Sequence, residues 1–524
     1  MFVCPVQLLI SLYKSLQQSI HHYFFVQNVR IALHFVVLFL NSNKIPSKGA
    51  MQMSLIKELG HHTVVKEKHD LIKKLYKSDQ RPWIIGYSGG KDSTTVVQLV
   101  MNAIKELPKE ERKKKIYIIS SDTLVENPLI IDYANNNMNL IHETAQNEDL
   151  PISTHWIYPK IEESFWVLTI GKGYPTPRQK FRWCTDRLKI NPANQFIKDR
   201  IDMHGEVIVL LGVRRSESSS RAQSMDRHKV DGKDFHRHTT FPNAFVFTPI
   251  SDFTLDDVWY YLQREDNPWG YDNAKLLALY QSSQDSSECP MQLDKDAPSC
   301  GNSRFGCWAC TVVKEDKSLT GFIKSGNKEL KPLLDFRNKL LSMRENPDYR
   351  MDRRMNGSIY YVQTAEGKKR GLGPFNMKAR KMILEDLLKT QVAYNRANRS
   401  KPYFELITRK ELQLIRNLWI ENGDWEDSLP KIYEKIIGER FTQTYSERPL
   451  LNDQELELLN QLCEEEDVSV ELVKKLVHIE NTYHGLKTRR DIFNKMHKVL
   501  NEDWLHEELT VYEREEFYNA SEVD

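Results

Sequence analysis

The sequence predicts an α/β fold in which a doubly wound parallel sheet precedes a mainly helical region. Short apolar runs alternate with helical segments over the first half of the chain, as expected of strands and crossover helices. One of these runs ends in a glycine- and hydroxyl-rich loop that opens a helix, a feature typical of phosphate-binding sites in such folds. At 524 residues the chain is long enough for two or three domains.

The N-terminal residues 1–53 are predicted to be an extension outside the folded core. Their apolar run Ile31–Leu40 is ten residues long, too short to cross a bilayer, so no stable membrane insertion is expected. We interpret the extension as an upstream segment from a misplaced start codon, with a membrane-associating segment as the alternative. The core is predicted to begin with one or two amphipathic helices over 54–77.

The strands are predicted from apolar runs with polar flanks. These runs are Trp83–Tyr87, Ile116–Ser120, Thr154–Tyr158 and Val207–Gly212. A helix is expected from Pro128, because proline favours the first helical turn. The polar segment 216–240 predicts a mobile loop or lid. We expect a nucleotide domain over 54–275, a cysteine segment over 276–320 and a helical region over 321–524.

The loop that follows the first strand reads S-G-G-K-D-S. It is not a Walker A loop, which needs four residues between its glycines and Ser or Thr after the lysine. The order S-G-G-x-D-S resembles the PP-loop of ATP pyrophosphatases, enzymes that cut ATP between the α and β phosphates. An unliganded glycine-rich turn is the alternative. The residues expected to hold the nucleotide are Ser88, Gly89, Gly90, Lys91, Asp92 and Ser93.

Two further strand ends carry candidate catalytic residues. Asp122 follows the second strand and suits the positioning of a ribose, a metal ion or a nucleophile, although an aspartate there is also a common helix cap. Arg214, Arg215 and Arg221 follow the fourth strand, and arginines suit a leaving pyrophosphate. Ordinary surface arginines are the alternative.

Cys184 lies among cationic residues in the stretch R-W-C-T-D-R. Positive charge nearby lowers a thiol pKa and favours the nucleophilic thiolate, so we expect Cys184 to be reactive. A small buried residue beside aromatic side chains is the alternative. Both interpretations fit the sequence.

Four of the seven cysteines, Cys289, Cys300, Cys307 and Cys310, fall within 22 residues. The last two form a C-x-x-C turn that can place two thiolates on one ion, and four thiolates fit either Zn²⁺ or a [4Fe–4S] cluster. The odd cysteine total, without a clear secretory signal, favours metal over disulfides and a reducing, cytoplasmic compartment. Cys463, in an acidic helical stretch, is expected to be structural.

The formal net charge is +2, but basic residues are unevenly distributed. Between 321 and 410 there are 21 Lys and Arg against 9 Asp and Glu. This excess predicts contact with a polyanion such as a DNA backbone, a compensated helical surface being the alternative. The residues singled out are Arg350, Arg353, Arg354, Lys368, Lys369 and Arg370.

Together the motifs resemble the phosphoadenosine phosphosulfate reductase-like branch of the PP-loop superfamily. The motifs in this chain are S-G-G-K-D-S, S-D-T at 121–123, R-W-C-T at 182–185, G-V-R-R-S-E-S at 212–218 and P-I-S-D-F-T-L-D-D-V-W at 249–259. Over 54–524 the chain resembles the DndC family of sulfurtransferases. It differs from assimilatory reductases, since it has no catalytic cysteine near its C-terminus.

This resemblance implies ATP with Mg²⁺ as cofactor and a [4Fe–4S] cluster held by Cys289, Cys300, Cys307 and Cys310. It also implies DNA as the acceptor, a cysteine desulfurase as sulfur donor and other DNA phosphorothioation (Dnd) proteins as partners. We therefore expect a sulfurtransferase that adenylylates a DNA phosphate and replaces an oxygen with sulfur. The alternatives are a PP-loop tRNA thiolase and a non-catalytic ATP- and DNA-binding Fe–S subunit.

Overall fold

The central sheet is the feature that organises the molecule. The computed structural model describes residues 54–228, 234–283, 305–364, 367–441, 453–483 and 491–501. Within them the sheet consists of β1 (Trp83–Gly86), β2 (Ile116–Ser121), β3 (Ile152–Ile157), β4 (Val207–Leu210), β5 (His236–Arg237) and β6 (Ala244–Phe247). A separate hairpin pairs β7 (Tyr361–Thr364) with β8 (Gly367–Arg370). The predicted extension 1–53, with Cys4, lies outside the described residues, as do Cys289 and Cys300.

Helices surround the sheet and form most of the C-terminal half. The first nine are α1 (Leu55–Leu59), α2 (His61–Lys77), α3 (Lys91–Lys105), α4 (Pro128–Asn147), α5 (Trp183–Thr185), α6 (Asn191–His204), α7 (Ser219–Arg227), α8 (Leu255–Arg264) and α9 (Asn273–Ser283). The remainder of those described are α10 (Lys317–Lys324), α11 (Lys331–Glu345), α12 (Met377–Ala397), α13 (Arg409–Glu421), α14 (Ser428–Ile437), α15 (Asp453–Glu465), α16 (Val470–Tyr483) and α17 (Ile492–Leu500).

The strand order is β3-β2-β1-β4-β6-β5. The pairs β1–β2, β1–β4, β2–β3 and β4–β6 are parallel, and only the short β5 runs antiparallel to its neighbour among the described strands of this sheet. The chain builds outward from β1 to β3 and then returns to β4 on the other side of β1. This reversal creates a crevice at the carboxyl ends of β1 and β4, where doubly wound folds bind ligands. The predicted fold class is confirmed.

Three local predictions differ from the structure. The segment 216–240 is not a continuous loop, since it contains α7 and β5. The strand β6 was not predicted, although its apolar run Ala244–Phe247 is as long as β1 and β4. The hairpin β7–β8 was not predicted either, because lysines and arginine occupy β8 in place of an apolar and polar alternation.

Local sequence explains the elements that flank the crevice. All four residues of β1 are buried, as is nearly all of α3, so this strand and helix lie inside the molecule with no solvated face. The helix α4 begins as predicted, with Pro128 in its first turn and the Asn127 Oδ1 atom accepting from the Leu129 N–H at 3.0 Å.

The helical region shares a core with the segment between β3 and α6. The indole N–H of Trp419 donates to the Ile170 carbonyl at 2.8 Å, and the indole N–H of Trp166 donates to the Leu406 carbonyl at 2.7 Å. Arg380 Nε also donates to the Ile170 carbonyl, at 2.8 Å. Residues from Ser54 onward form one compact unit. The domain boundaries at 275 and 320 stay a prediction.

Among the described helices, we find none that combines the length and the apolar character needed to cross a membrane.

Candidate active site

The loop after β1 has the geometry of an anion-binding turn. Gly89 adopts a φ of +73°, which favours glycine, and a Cβ there would approach the Tyr133 ring to 3.3 Å. The Ser93 hydroxyl accepts from the Ser88 N–H at 3.2 Å and donates to the Gly90 carbonyl at 2.9 Å. Ser93 therefore fixes the turn internally, and α3 begins after Gly90 without a side-chain cap, its first amide donating to the Tyr280 hydroxyl at 3.1 Å.

Three buried charges lie at the base of this loop, and we call them the loop triad: Lys91, Asp92 and Arg214. Lys91 Nζ lies 2.9 Å from one Asp92 carboxylate oxygen, and Arg214 Nε donates to the other. The three residues are 2%, 3% and 5% exposed, respectively. Their summed formal charge is positive, so the triad suits a nucleotide phosphate. Asp92 acts in it as the shared acceptor of two cations.

Close packing holds β4 against the start of α3. A Cβ on Gly212 would lie 2.8 Å from the Asp92 carbonyl carbon and 3.0 Å from the Ser93 nitrogen, so only glycine allows this approach. Arg214 is thereby brought into the loop triad. Arg215 turns the other way and pairs with Asp226 at the surface at 2.6 Å. The side chain of Arg221, in α7, lies outside what the structure describes.

Asp122 lies at the end of β2, beside the crevice as predicted. Its Oδ1 atom accepts from the Leu124 N–H at 2.8 Å, which explains how Leu124 adopts its φ of +64°. Burial raises the pKa of Asp122 to about 6, and the nearby Glu126 carboxylate acts in the same direction. A carboxyl group with this pKa can titrate near neutral pH, which suits a metal ligand or a proton acceptor.

Replacing Asp122 with asparagine tests this pKa. Between about pH 4 and pH 6 the folded chain holds a proton that the unfolded chain releases, so the free energy of unfolding falls as pH rises. Asparagine keeps the oxygen that accepts from Leu124 and does not titrate. Above pH 6 we expect the free energy of unfolding of Asp122→Asn to be higher than that of the wild type by about 1–2 kcal/mol. Urea denaturation at several pH values measures this, and parallel pH curves for the two proteins would contradict it.

Beside Asp122 lies a small cavity that we call the thiol cavity. Its volume is about 90 Å³, and its lining contains Cys184, Cys307 and Cys310, the charged residues Arg182, Lys189, Glu315, Asp316 and Lys317, and several hydrophobic side chains. All three cysteines are half-buried and none forms a disulfide. The structure thus brings Cys184 close to Cys307 and Cys310, which lie more than 120 residues further along the chain.

Contacts with the β2 end place the C-x-x-C turn at the same sheet edge as the phosphate loop. The Trp308 N–H donates to the Val125 carbonyl at 3.0 Å, and the Cys307 Sγ atom lies 3.4 Å from the Thr123 hydroxyl. Within the turn, the Cys310 N–H donates to the Cys307 carbonyl at 3.0 Å. Thr123 directly follows Asp122 in the chain, so the thiol cavity and the candidate nucleotide crevice are neighbours.

The prediction that neighbouring cations lower the pKa of Cys184 is wrong. Burial raises the pKa of this thiol to about 12, and the adjacent Cys310 adds to the shift. Lys189 and Arg182 oppose the shift without overcoming it. Burial also raises the pKa values of Cys307 and Cys310. In the protein alone these groups are thiols, and coordination to a metal ion would deprotonate them.

Sequence reasoning missed two charged residues at this site, Lys189 and Glu126. Burial disfavours the charge on Lys189, yet the Glu126 carboxylate at 3.5 Å and the neighbouring thiols hold the pKa of Lys189 above its usual value. The ammonium group thus lies ready beside the cysteines to stabilise thiolate or sulfide charge. Nothing in the sequence links Glu126 to Cys307. For Lys189, its place in the basic stretch 178–189 around Cys184 was an available signal.

The donor chemistry of the thiol cavity fits a thiolate-bound metal group, since soft sulfur ligands suit zinc and iron–sulfur clusters. Of the four predicted ligands, Cys307 and Cys310 lie here, while Cys289 and Cys300 belong to the residues that are not described. Within the described ranges, no three His, Cys, Asp or Glu side chains are spaced to hold one metal ion. Cys307 and Cys310 are thus the two predicted ligands that the structure describes.

The sheet, its switch point and the glycine loop define a PP-loop type nucleotide-binding fold. Residues 82–313 match the phosphoadenosine phosphosulfate reductase domain family. The chain therefore carries a phosphoadenosine phosphosulfate reductase-like domain of the PP-loop superfamily. This region includes β1 to β6, the loop triad and the thiol cavity.

The chain is also similar to a protein of Methanocaldococcus jannaschii, MJ0066. The two are 27% identical over 246 residues, which is 46% of this chain and 39% of that protein. The chain thus spans well under half the length of this relative.

Distant similarity to two solved structures is also found. One is the NH3-dependent NAD synthetase from Campylobacter jejuni, at 15% identity, covering 54% of this chain and 91% of that one, with a TM-score of 0.25. Another is the U34-tRNA thiolase NcsA from Methanococcus maripaludis, solved with its [4Fe–4S] cluster. The two chains are 13% identical, the match covers 56% of this chain and 87% of the thiolase, and the TM-score is 0.27.

Proposed function

We propose that this protein is an enzyme, a sulfurtransferase that uses ATP to activate a DNA backbone phosphate and replaces a non-bridging oxygen with sulfur. The observation that carries the proposal is the position of the thiol cavity beside the phosphate loop. Thr123, just after β2, contacts Cys307, and its chain neighbour Asp122 is a buried carboxyl with a raised pKa. We assign activation by ATP to the loop after β1 and the handling of sulfur to the cysteines near the end of β2, the strand paired with β1.

The first step is adenylylation of the acceptor. A non-bridging oxygen of the DNA phosphate attacks the α-phosphorus of ATP, a new P–O bond forms, and pyrophosphate leaves with the electrons of the broken P–O bond. Lys91 and Arg214 offset the charge of the phosphates, and the amides at the start of α3 hold their oxygens. Asp122 is placed to bind Mg²⁺ or to orient the ribose. The activation turns a poor leaving group into AMP.

The second step is substitution by sulfur. A hydrosulfide attacks the activated DNA phosphorus, a P–S bond forms, and AMP leaves with the oxygen, so no atom changes its oxidation state. A cysteine desulfurase supplies sulfur as a persulfide, and a second thiol provides the two electrons that release it as hydrosulfide. Lys189 stabilises the anionic sulfur near Cys184. A [4Fe–4S] cluster held by Cys289, Cys300, Cys307 and Cys310 would supply the metal-bound site at which sulfur is handled.

The remaining parts of the proposal concern the setting of the enzyme. Other Dnd phosphorothioation proteins are its proposed partners on DNA, and the cytoplasm is its proposed location. Sequence selection on DNA is assigned to these partners, because the chain shows no recognisable helix-turn-helix or zinc-finger pattern.

The test is mass spectrometry of nuclease-digested DNA from cells that contain the complete system. Phosphorothioate dinucleotides are expected with the wild-type protein and not with Lys91→Ala or Cys307→Ser. Arg215→Ala is the matched control, because Arg215 is a neighbouring cation that pairs with Asp226 away from the loop triad. DNA from cells with this variant should still contain phosphorothioates. Phosphorothioates that persist in both site variants, or thiolated tRNA in their place, would contradict the proposal.

A further inference from the structure

A second and larger cavity lies next to the thiol cavity, and we call it the arginine cavity. Its volume is about 1050 Å³, and its two walls come from residues 174–190 and 344–374. Ligand sites for single small molecules usually enclose about 300–1,000 Å³, so this cavity has room for more than one nucleotide unit. Nothing in the two proposed reaction steps uses it.

The lining of the arginine cavity is strongly basic. Seven of its residues are arginine or lysine and two are acidic. The basic residues are Arg178, Lys180, Arg182, Arg187, Arg344, Arg350 and Arg354. Such a concentration of one charge in a concave surface attracts anions.

Two of these cations form ion pairs, Arg187 with Glu163 and Arg344 with Glu345, whereas Arg350 is held by neutral groups. Its guanidinium donates to the backbone carbonyls of Leu372, Gly373 and Arg344, which are neutral acceptors. Burial lowers the pKa of Arg350 to about 10, and the guanidinium groups of Arg178 and Arg344 act in the same direction, although Glu345 opposes them. An anion bound between these arginines would relieve their mutual repulsion.

The two walls are held together before any ligand binds. Arg344 Nη1 donates to the Pro177 carbonyl at 2.7 Å and to the Thr311 carbonyl at 2.8 Å, which links the walls directly. The Phe375 N–H donates to the Gly173 carbonyl at 2.6 Å and closes the base. A site arranged in advance loses little free energy in ordering itself around a ligand.

Aromatic rings stand among the cations. Phe181 is 42% exposed and closes a turn in which it exchanges two backbone hydrogen bonds with Arg178. Arg354 stacks over the Tyr360 ring at 4.3 Å. Cations that follow a backbone, interleaved with flat surfaces that stack on bases, are the arrangement by which proteins hold single-stranded nucleic acids.

The arginine cavity and the thiol cavity are adjacent, since Arg182 and Thr185 line both. A phosphate held by the arginines would therefore lie next to Cys184.

We propose that the arginine cavity binds the phosphodiester backbone of the nucleic-acid acceptor, with an unpaired base stacked on Phe181. The inference deepens the proposed function, because that function requires an acceptor strand beside the sulfur site. The binding chemistry is common to DNA and RNA, and the experiment separates the two. A protein partner is the competing occupant.

Fluorescence anisotropy of labelled oligonucleotides over a range of salt concentrations tests the cavity. Arg178→Ala/Lys180→Ala removes two exposed cations and is expected to weaken binding at least tenfold. It should also reduce the slope of log K against log salt by about 1.5, as two lost phosphate contacts require. Phe181→Ala should weaken binding about tenfold and leave the slope unchanged, because stacking releases no counterions.

Matched controls separate local from general effects. Lys66→Ala/Lys74→Ala removes two exposed cations from α2, and Phe493→Ala removes an aromatic ring that is 82% exposed on α17. Both controls should bind as the wild type does. Equal losses in cavity and control variants, or no nucleic-acid binding by the wild type, would overturn the inference.

The same titrations with single-stranded DNA, duplex DNA and RNA identify the strand that the cavity prefers. If cavity variants lose binding while cells make no phosphorothioate, the cavity assignment holds and the proposed function fails. If phosphorothioate forms and is unaffected by the cavity substitutions, the proposed function holds and the cavity assignment fails.

Discussion

Replacing Asp92 with alanine is expected to lower the free energy of unfolding by about 3–5 kcal/mol. Asp92 is 3% exposed and accepts from both Lys91 and Arg214, themselves buried. Without the carboxylate, two like charges remain together away from water. Urea denaturation of the purified variant measures the loss.

A neighbouring ion pair supplies the control for this prediction. Arg215 follows Arg214 directly, but its pair with Asp226 is exposed, so Asp226→Ala should change stability by no more than about 0.5 kcal/mol. A double variant, Asp92→Ala with Arg214→Met, also removes one of the two buried cations and should recover part of the lost free energy of unfolding. Equal effects of Asp92→Ala and Asp226→Ala would show that the loop triad is not the buried network described above.

Replacing Cys307 with serine is expected to abolish iron binding by protein purified without oxygen. Serine keeps the size of the side chain and the contact with Thr123 but removes a soft thiolate ligand. Iron and acid-labile sulfide should fall to background, together with the brown colour of the protein. Elemental analysis and absorption spectra measure both.

Cys463 is the matched control, because it is a buried free cysteine in α15, far along the chain from the C-x-x-C turn. Cys463→Ser should retain the iron content of the wild type. Wild-type protein that carries zinc, or a Cys307→Ser variant that retains full iron, would contradict assignment of the cluster to this turn.

The sequence was sufficient where the signal is local. The phosphate loop is predicted by six consecutive residues between an apolar strand and a helix, and the four strands that precede β5 are predicted by their apolar runs. The pairing of β1 with β4 then brings Arg214 to Asp92, which the general rule of the switch point anticipates.

The sequence was insufficient where the role of a residue depends on its burial or on the direction of its side chain. Arg214 and Arg215 are adjacent and look alike, yet their side chains leave the backbone in opposite directions, one into the loop triad and one to the surface. The pKa of Cys184 depends on burial, which overrides the charges of its neighbours in the chain. The contact of Glu126 with Lys189 and the thiol cavity arises only when distant segments pack together.

The most direct test of the central claim is to determine which bond of ATP the protein cuts. Protein purified without oxygen is incubated with Mg²⁺, DNA, a sulfide source and ATP labelled at the α-phosphate or, in a parallel reaction, at the γ-phosphate, and the products are separated by chromatography. We expect AMP and pyrophosphate in equal amounts from the wild type and neither from Lys91→Ala. Release of ADP and inorganic phosphate, or AMP formation that survives Lys91→Ala, would contradict it.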